Sequence, residues 1–170
     1  MAVILAALVW IAASGAGCTN TRALFTRPQL YTYDRHAVLG LDPEQEQIFM
    51  AAYIRAFSAR PVTFVERGRL RDILGEQDLL HGRLNDRTRA RIKQILGVEA
   101  LILCEYYSSD TSTQKKLRVR IVNSETGAID GSVLIEAPGN FESHARMAAE
   151  AIKADLLRGP RRDSSAEPST

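Results

Sequence analysis

Cysteine is scarce in this chain: Cys18 and Cys104 are the only two in 170 residues. So few exclude a disulfide-framed fold. Histidine is thin as well. His36, His81 and His144 stand far apart, and none has the spacing of a metal-ligating pair. There is no glycine-rich phosphate loop and no G-x-S-x-G elbow. No acid, base and nucleophile come together in the sequence, so no enzyme, no cofactor and no metal is expected. Charge of one sign is lacking too. The formal balance is +2, with the basic residues dispersed, which argues against a nucleic-acid partner. The N-terminal apolar run, Val3 to Ala13, falls short of the ~18–20 residues a membrane-spanning helix needs.

What that run has is the chemistry of a leader. Met1 to Gly17 carries no charge and ends in Ser14-Gly15-Ala16-Gly17, directly before Cys18. Small residues at a cut let a peptidase bind the backbone closely. A cysteine just after them looks like a bacterial lipobox, in which the thiol takes a diacylglyceryl group before cleavage. Residues 1–17 then read as a lipoprotein signal peptide and Cys18 as the lipidation site, a palmitate-type anchor. An ordinary secretory signal, or a short buried helix with Cys18 a bystander, would give a similar stretch. Residues 18–29 read as a polar tether carrying Arg22 and Arg27. Residues 159–170 hold only serine, proline, glycine, alanine, threonine and charge, and read as a disordered tail.

Between them, residues 30–158 suffice for one domain with a proper core. His36 to Leu41 is the best first strand, with Leu30 to Tyr33 as a rival. Asp42-Pro43-Glu44-Gln45 starts a helix: Asp42 as N-cap, Pro43 at N1, Gln45 closing a capping box. Met50, Tyr53, Ile54 and Phe57 mark its inner face, and Arg60-Pro61 ends it. Val62 to Val65 is a short strand. Leu70, Ile73, Leu74 and Gln77 form a helical stripe ending at His81-Gly82. Asn85 or Asp86 caps the next helix, with Thr88, Ile92, Ile95 and Leu96 inward and Gly97 stopping it. Ala100 to Cys104 is an unbroken apolar run, suited to a strand buried on both faces. Ser108 to Gln114 reads as a loop. Leu117-Arg118-Val119-Arg120-Ile121 alternates strictly, so one face is buried and the other wet. Ser124 to Gly127 is a turn, and Ile129, Val133 and Ile135 give the return strand. Asn140 to Leu157 is a helix with Ala145, Ala148, Ala149, Ile152 and Leu156 inside. The fold class is therefore α/β, a mixed sheet packed with helices in the order β-α-β-α-α-β-β-β-α.

Three sets of residues bear on function. Arg118 and Arg120 are either a solvated sheet face or a partner-binding patch. Glu76 is a partner contact, part of a solvated helix face, or a group held by a fold-specific hydrogen bond. The pair Glu66-Arg67, beside Arg69 and Arg71, reads as a turn with local ion pairs.

The central segment resembles the CsgG-like family of curli-secretion lipoproteins. The resemblance lies in Val65-Glu66-Arg67 with Leu70, Ile73-Leu74-x-Glu76-Gln77, Leu96-Gly97-Val98-x-Ala100-Leu101 and Val122-x-x-x-Thr126-Gly127. It implies a periplasmic α/β core on an outer-membrane lipoprotein that works by protein–protein contact in the cell envelope. Its partner would be an envelope protein or further copies of itself. The curli channel adds two amphipathic hairpins per subunit, and a membrane strand takes about 9–11 alternating residues. Neither the Ser108–Gln114 loop nor the turn after Asn123 has room for one, so a pore is not expected. Two other readings stay open: a soluble periplasmic ligand-binding module, and a ring-forming assembly subunit.

Overall fold

The apolar run that follows Gly97 becomes an inner strand of a six-stranded mixed sheet. A computed structural model describes residues 20–25, 33–108 and 114–158. The elements are β1 (Asn20–Phe25), β2 (Arg35–Leu39), α1 (Pro43–Ala56), β3 (Thr63–Phe64), α2 (Arg67–Leu74), α3 (Glu76–His81), α4 (Asp86–Leu96), β4 (Ala100–Ser108), β5 (Lys115–Asn123), β6 (Ile129–Glu136) and α5 (Phe141–Arg158). The strand order is β1-β6-β5-β4-β2-β3. Strand β2 runs parallel to both β3 and β4, while β4, β5, β6 and β1 pair antiparallel in turn.

The helix ends follow from their capping residues. Asp42 Oδ1 accepts from the Gln45 amide at 2.9 Å, and Pro43 occupies the first turn of α1. Asn85 Oδ1 accepts from the Thr88 amide at 2.8 Å and starts α4, which Gly97 ends in the left-handed region. Asn123 Oδ1 accepts from the amides of Glu125 and Thr126, and so closes the tight β5–β6 turn.

Two cores lie on opposite faces of the sheet. On the first, α1 and α5 pack over Val38, Ile102, Cys104, Leu117, Val119, Ile121, Val133 and Ile135. Ala145, Ala148 and Ala149 are fully buried there, so α5 approaches closely. On the second, Leu70, Leu79, Ile92 and Leu96 of the three short helices cover Ala37, Leu39, Leu101 and Val122. Each such burial contributes about 1.5–3 kcal/mol of hydrophobic free energy. Gly40 joins the two sides. Its φ is +90°, and a Cβ there would sit 1.9 Å from the Cys104 carbonyl oxygen, so no other residue fits.

Several expectations need correction. The stretch 18–29, expected as a tether, holds β1. An edge strand tolerates Thr21 and Arg22 because its outer side is wet, and it gives the outer edge of β6 backbone partners. The inner stripe of α1 is Glu46, Phe49, Tyr53 and Ala56, whereas Ile54 is 51 % exposed. A buried glutamate in the stripe hides its true phase. The single helix expected across Leu70 to Gln77 is two, because Gly75 takes φ +79° and ψ 153° between α2 and α3. Gln77 is consequently exposed, and Leu79 enters the core instead. Ile95 is 54 % exposed although it lies on the face expected inward. Strand β4 runs on past Cys104 to Ser108. The leader 1–17, Cys18, Arg27, residues 30–32 of the rival first strand, residues 109–113 of the loop and the tail 159–170 lie outside the described residues, as does the side chain of Leu156.

Candidate functional site

The helices of the second face stop short of covering it. On β4 that face carries Leu101, Leu103, Glu105 and Tyr107; on β5 it carries Val122, Arg120, Arg118 and Lys116, in register. Leu101 is fully buried and Leu103 half-buried, and beyond them the surface opens. Glu105 sits between the two arginines. Its Oε2 accepts from Arg118 Nη1 at 3.1 Å and its Oε1 from Arg120 Nη2 at 2.8 Å. Arg118 Nη2 also donates to the Tyr107 hydroxyl at 3.2 Å, with the guanidinium carbon 5.4 Å from that ring's centre. In the next row, Lys116 Nζ lies 2.5 Å from Glu136 Oε1. Leu134 pairs with both Arg118 and Arg22, so β1 extends the basic row.

Arg118 and Arg120 are thus brought together as their alternation implies, and a shared carboxylate holds them. Their side chains are 44 % and 36 % exposed, so these pairs contribute at most about 1 kcal/mol to stability. Glu105 and Tyr107 were not singled out in the sequence, although the alternation of β4 past Cys104 puts both on this face.

Glu76 stands elsewhere. Arg67, at the start of α2, forks between two carboxylates. Its Nη2 lies 2.5 Å from Glu76 Oε1, its Nη1 pairs with Glu46, and Nη1 also donates to the Leu41 carbonyl at 3.0 Å. The partners are thus distant in sequence, not local as expected, and the Arg67 side chain is only 16 % exposed. Burial raises the Glu46 carboxyl above its ordinary value, against the pull of Arg67. This fork ties α1 to α2 and α3, and Glu76 has the fold-specific hydrogen bond as its role here. Beside the fork lies a groove of about 530 Å³, lined by Met50, Ile54, Val62, Phe64 and Arg67 among others.

The histidines do separate jobs. His36 is buried between the Tyr53 and Phe64 rings, each 5.8 Å away, and desolvation lowers its pKa to about 4. The Nε2 of His144 is 2.8 Å from the Ala137 carbonyl, inside the first core. His81 ends α3 with Nδ1 2.7 Å from the Gln77 carbonyl, a capping contact. Burial raises the thiol pKa of Cys104. Among the described residues, no group of three or more His, Cys, Asp or Glu side chains is arranged to hold a metal ion.

Residues 60–115 match a family model described as curli production assembly/transport component CsgG. A search of curated proteins gave no match. Among solved structures, the chain is similar to a PelC dodecamer from Paraburkholderia phytofirmans, at 10 % identity and TM-score 0.47, over 84 % of this chain and 99 % of that one. It is similar to lipoprotein GNA1162 from Neisseria meningitidis, at 15 % identity and TM-score 0.41, over 74 % of this chain and 95 % of that one. It is also similar to TolB from Acinetobacter baumannii, at 10 % identity and TM-score 0.49, over 82 % of this chain and 31 % of that one. The family match runs from ahead of β3 to the first residue of β5, through the helices of the second face, so over that segment the chain is similar to the CsgG family.

Proposed function

We propose that this chain is a lipid-anchored component of an envelope assembly, working by protein–protein contact through the open part of its second sheet face. Cys18 carries the anchor in the outer membrane, and the domain faces the periplasm. The observation that supports the docking role is the Arg118–Glu105–Arg120 cluster with Tyr107, on the part of the second sheet face beyond the short helices. Arginine and tyrosine supply much of the binding energy at protein interfaces. Here a strand backbone and a shared carboxylate hold them in place, so less side-chain freedom is lost on binding. The family description, an assembly and transport component, supports the same reading.

Two measurements test it. Intact mass and membrane fractionation of the natural chain should show acyl mass at Cys18 and a move to the soluble fraction in Cys18→Ala. A photo-crosslinker at Tyr107 should capture a protein in the envelope, whereas one at exposed Ile54 should not. A second copy of this chain as the captured protein would make the assembly a homo-oligomer, with its order read from mass in solution. Failure to capture anything at Tyr107 would sink the docking role.

A further inference from the structure

If Cys18 carries the anchor, the domain has almost no slack. Strand β1 begins at Asn20, two residues on. Two peptide units reach at most about 7.6 Å. The start of β1 must therefore stay beside the lipid surface, and the sheet register fixes what accompanies it. Asn20 pairs with Glu136 at the end of β6. Leu117 pairs with Ile135, so Lys115 and Lys116 stand at that same end, and Lys115 pairs with Ser108 at the end of β4.

The chemistry of this end suits a headgroup layer. Lys115 is exposed, with Nζ 5.1 Å from the centre of the Tyr106 ring, and exposed Arg22 lies close by on its strand. Tyrosine with lysine or arginine is the pairing that sits at a membrane–water boundary, ring inward and charge in the headgroups. Among the described residues, three acidic groups share this half: Glu105, which pairs with Arg118 and Arg120, Glu136, which pairs with Lys116, and Glu142 in the first turn of α5. Asp42, Glu44 and Asp78 stand at the same end beside β2, which is four strand spacings from β1, roughly 19 Å away. With Arg22, Lys115, Lys116, Arg118 and Arg120 against Glu105, Glu136 and Glu142, the described part of the anchored side is net basic, which tilts it toward an anionic surface by the β1 edge.

We propose that the end of the sheet formed by the start of β1, the end of β6, the start of β5 and the end of β4 docks on the lipid headgroups, with Lys115 among them. This rests on the reading of Cys18 as the anchor. The open face with Arg118 and Arg120 then stands upright along the membrane normal, free for a partner.

The sequence offers a clean reporter, because its single tryptophan, Trp10, lies in the leader. The acylated protein would carry Ser108→Trp at the docked end or Ile129→Trp at the opposite end of β6, roughly 23 Å away along the strand. Both positions are exposed. Exposed Thr21→Trp in β1 is a second reporter should Ser108→Trp not fold. The protein is placed in vesicles of phosphatidylethanolamine and phosphatidylglycerol containing a lipid brominated near the headgroup. The expected result is several-fold stronger quenching at position 108 or 21 than at 129. Equal quenching in an acylated protein overturns this inference and leaves the anchor standing. A protein without acyl mass overturns both.

Discussion

Leu101 and Glu105 stand four residues apart on the same face of one strand, in different surroundings. Leu101 lies fully buried beneath the short helices, while Glu105 is half in water between two arginines. On the opposite face of that strand, Ile102, Cys104 and Tyr106 pack against the first core throughout. One face thus holds the sheet together along its whole length, and the other does so over only one corner. The difference separates two duties. Where both faces are sealed, the side chains answer to packing. Where one is open, they are only weakly constrained by stability and are available for contact.

The sharpest way to break this division is at the sealed corner. Gly40→Ala forces a Cβ into the Cys104 carbonyl and strains a positive φ. It should cost about 4 kcal/mol in chemical denaturation, combining overpacking with backbone strain. Next, Arg67→Ala strands the buried Glu46 carboxylate and should cost about 3 kcal/mol at neutral pH. Adding Glu46→Gln should restore most of it. The loss should also shrink on acidification, since Glu46 without Arg67 takes up its proton more readily.

A third measurement follows His36. Its folded pKa of about 4 lies below the ordinary 6.5. Between those values the unfolded chain binds a proton that the folded one refuses. The stability this group contributes is therefore whole above pH 6.5 and lost as pH falls toward 4, on the order of 3 kcal/mol over that window. Denaturation midpoints of the wild type and His36→Leu, compared at pH 7 and pH 5, should show the acid-side decline only in the wild type. The smallest effect belongs to the open face. Arg118→Ala with Arg120→Ala should change stability by less than about 1 kcal/mol. A loss as large as that of Arg67→Ala would mean that the face is structural, and the division would fail.

Much of the fold was legible because local chemistry settles it. The caps at Asp42, Asn85 and Gly97 and the alanines of α5 act where they stand in the chain. The mixed sheet followed from the alternating run at Leu117 and the continuous run at Ala100. Strand β1 was not legible, since an edge strand of few residues depends on the partner it meets, more than a hundred residues away. The break at Gly75 was passed over because the stripe on either side has helical spacing. The site was half legible. Alternation gave Arg118 and Arg120, but a charge after an apolar run read as the strand's end, and so hid Glu105. The fork at Arg67 could not be foreseen, because Glu46 reaches it only once α1 has folded over the sheet.

The seclusion of Cys104 has a practical consequence. Its thiol is fully enclosed, and its raised pKa keeps it protonated and unreactive. A thiol reagent can reach it only when the sheet opens, so its labelling rate is a built-in clock for that opening. If Cys18 is acylated, as proposed, the chain carries no other thiol to confuse the reading.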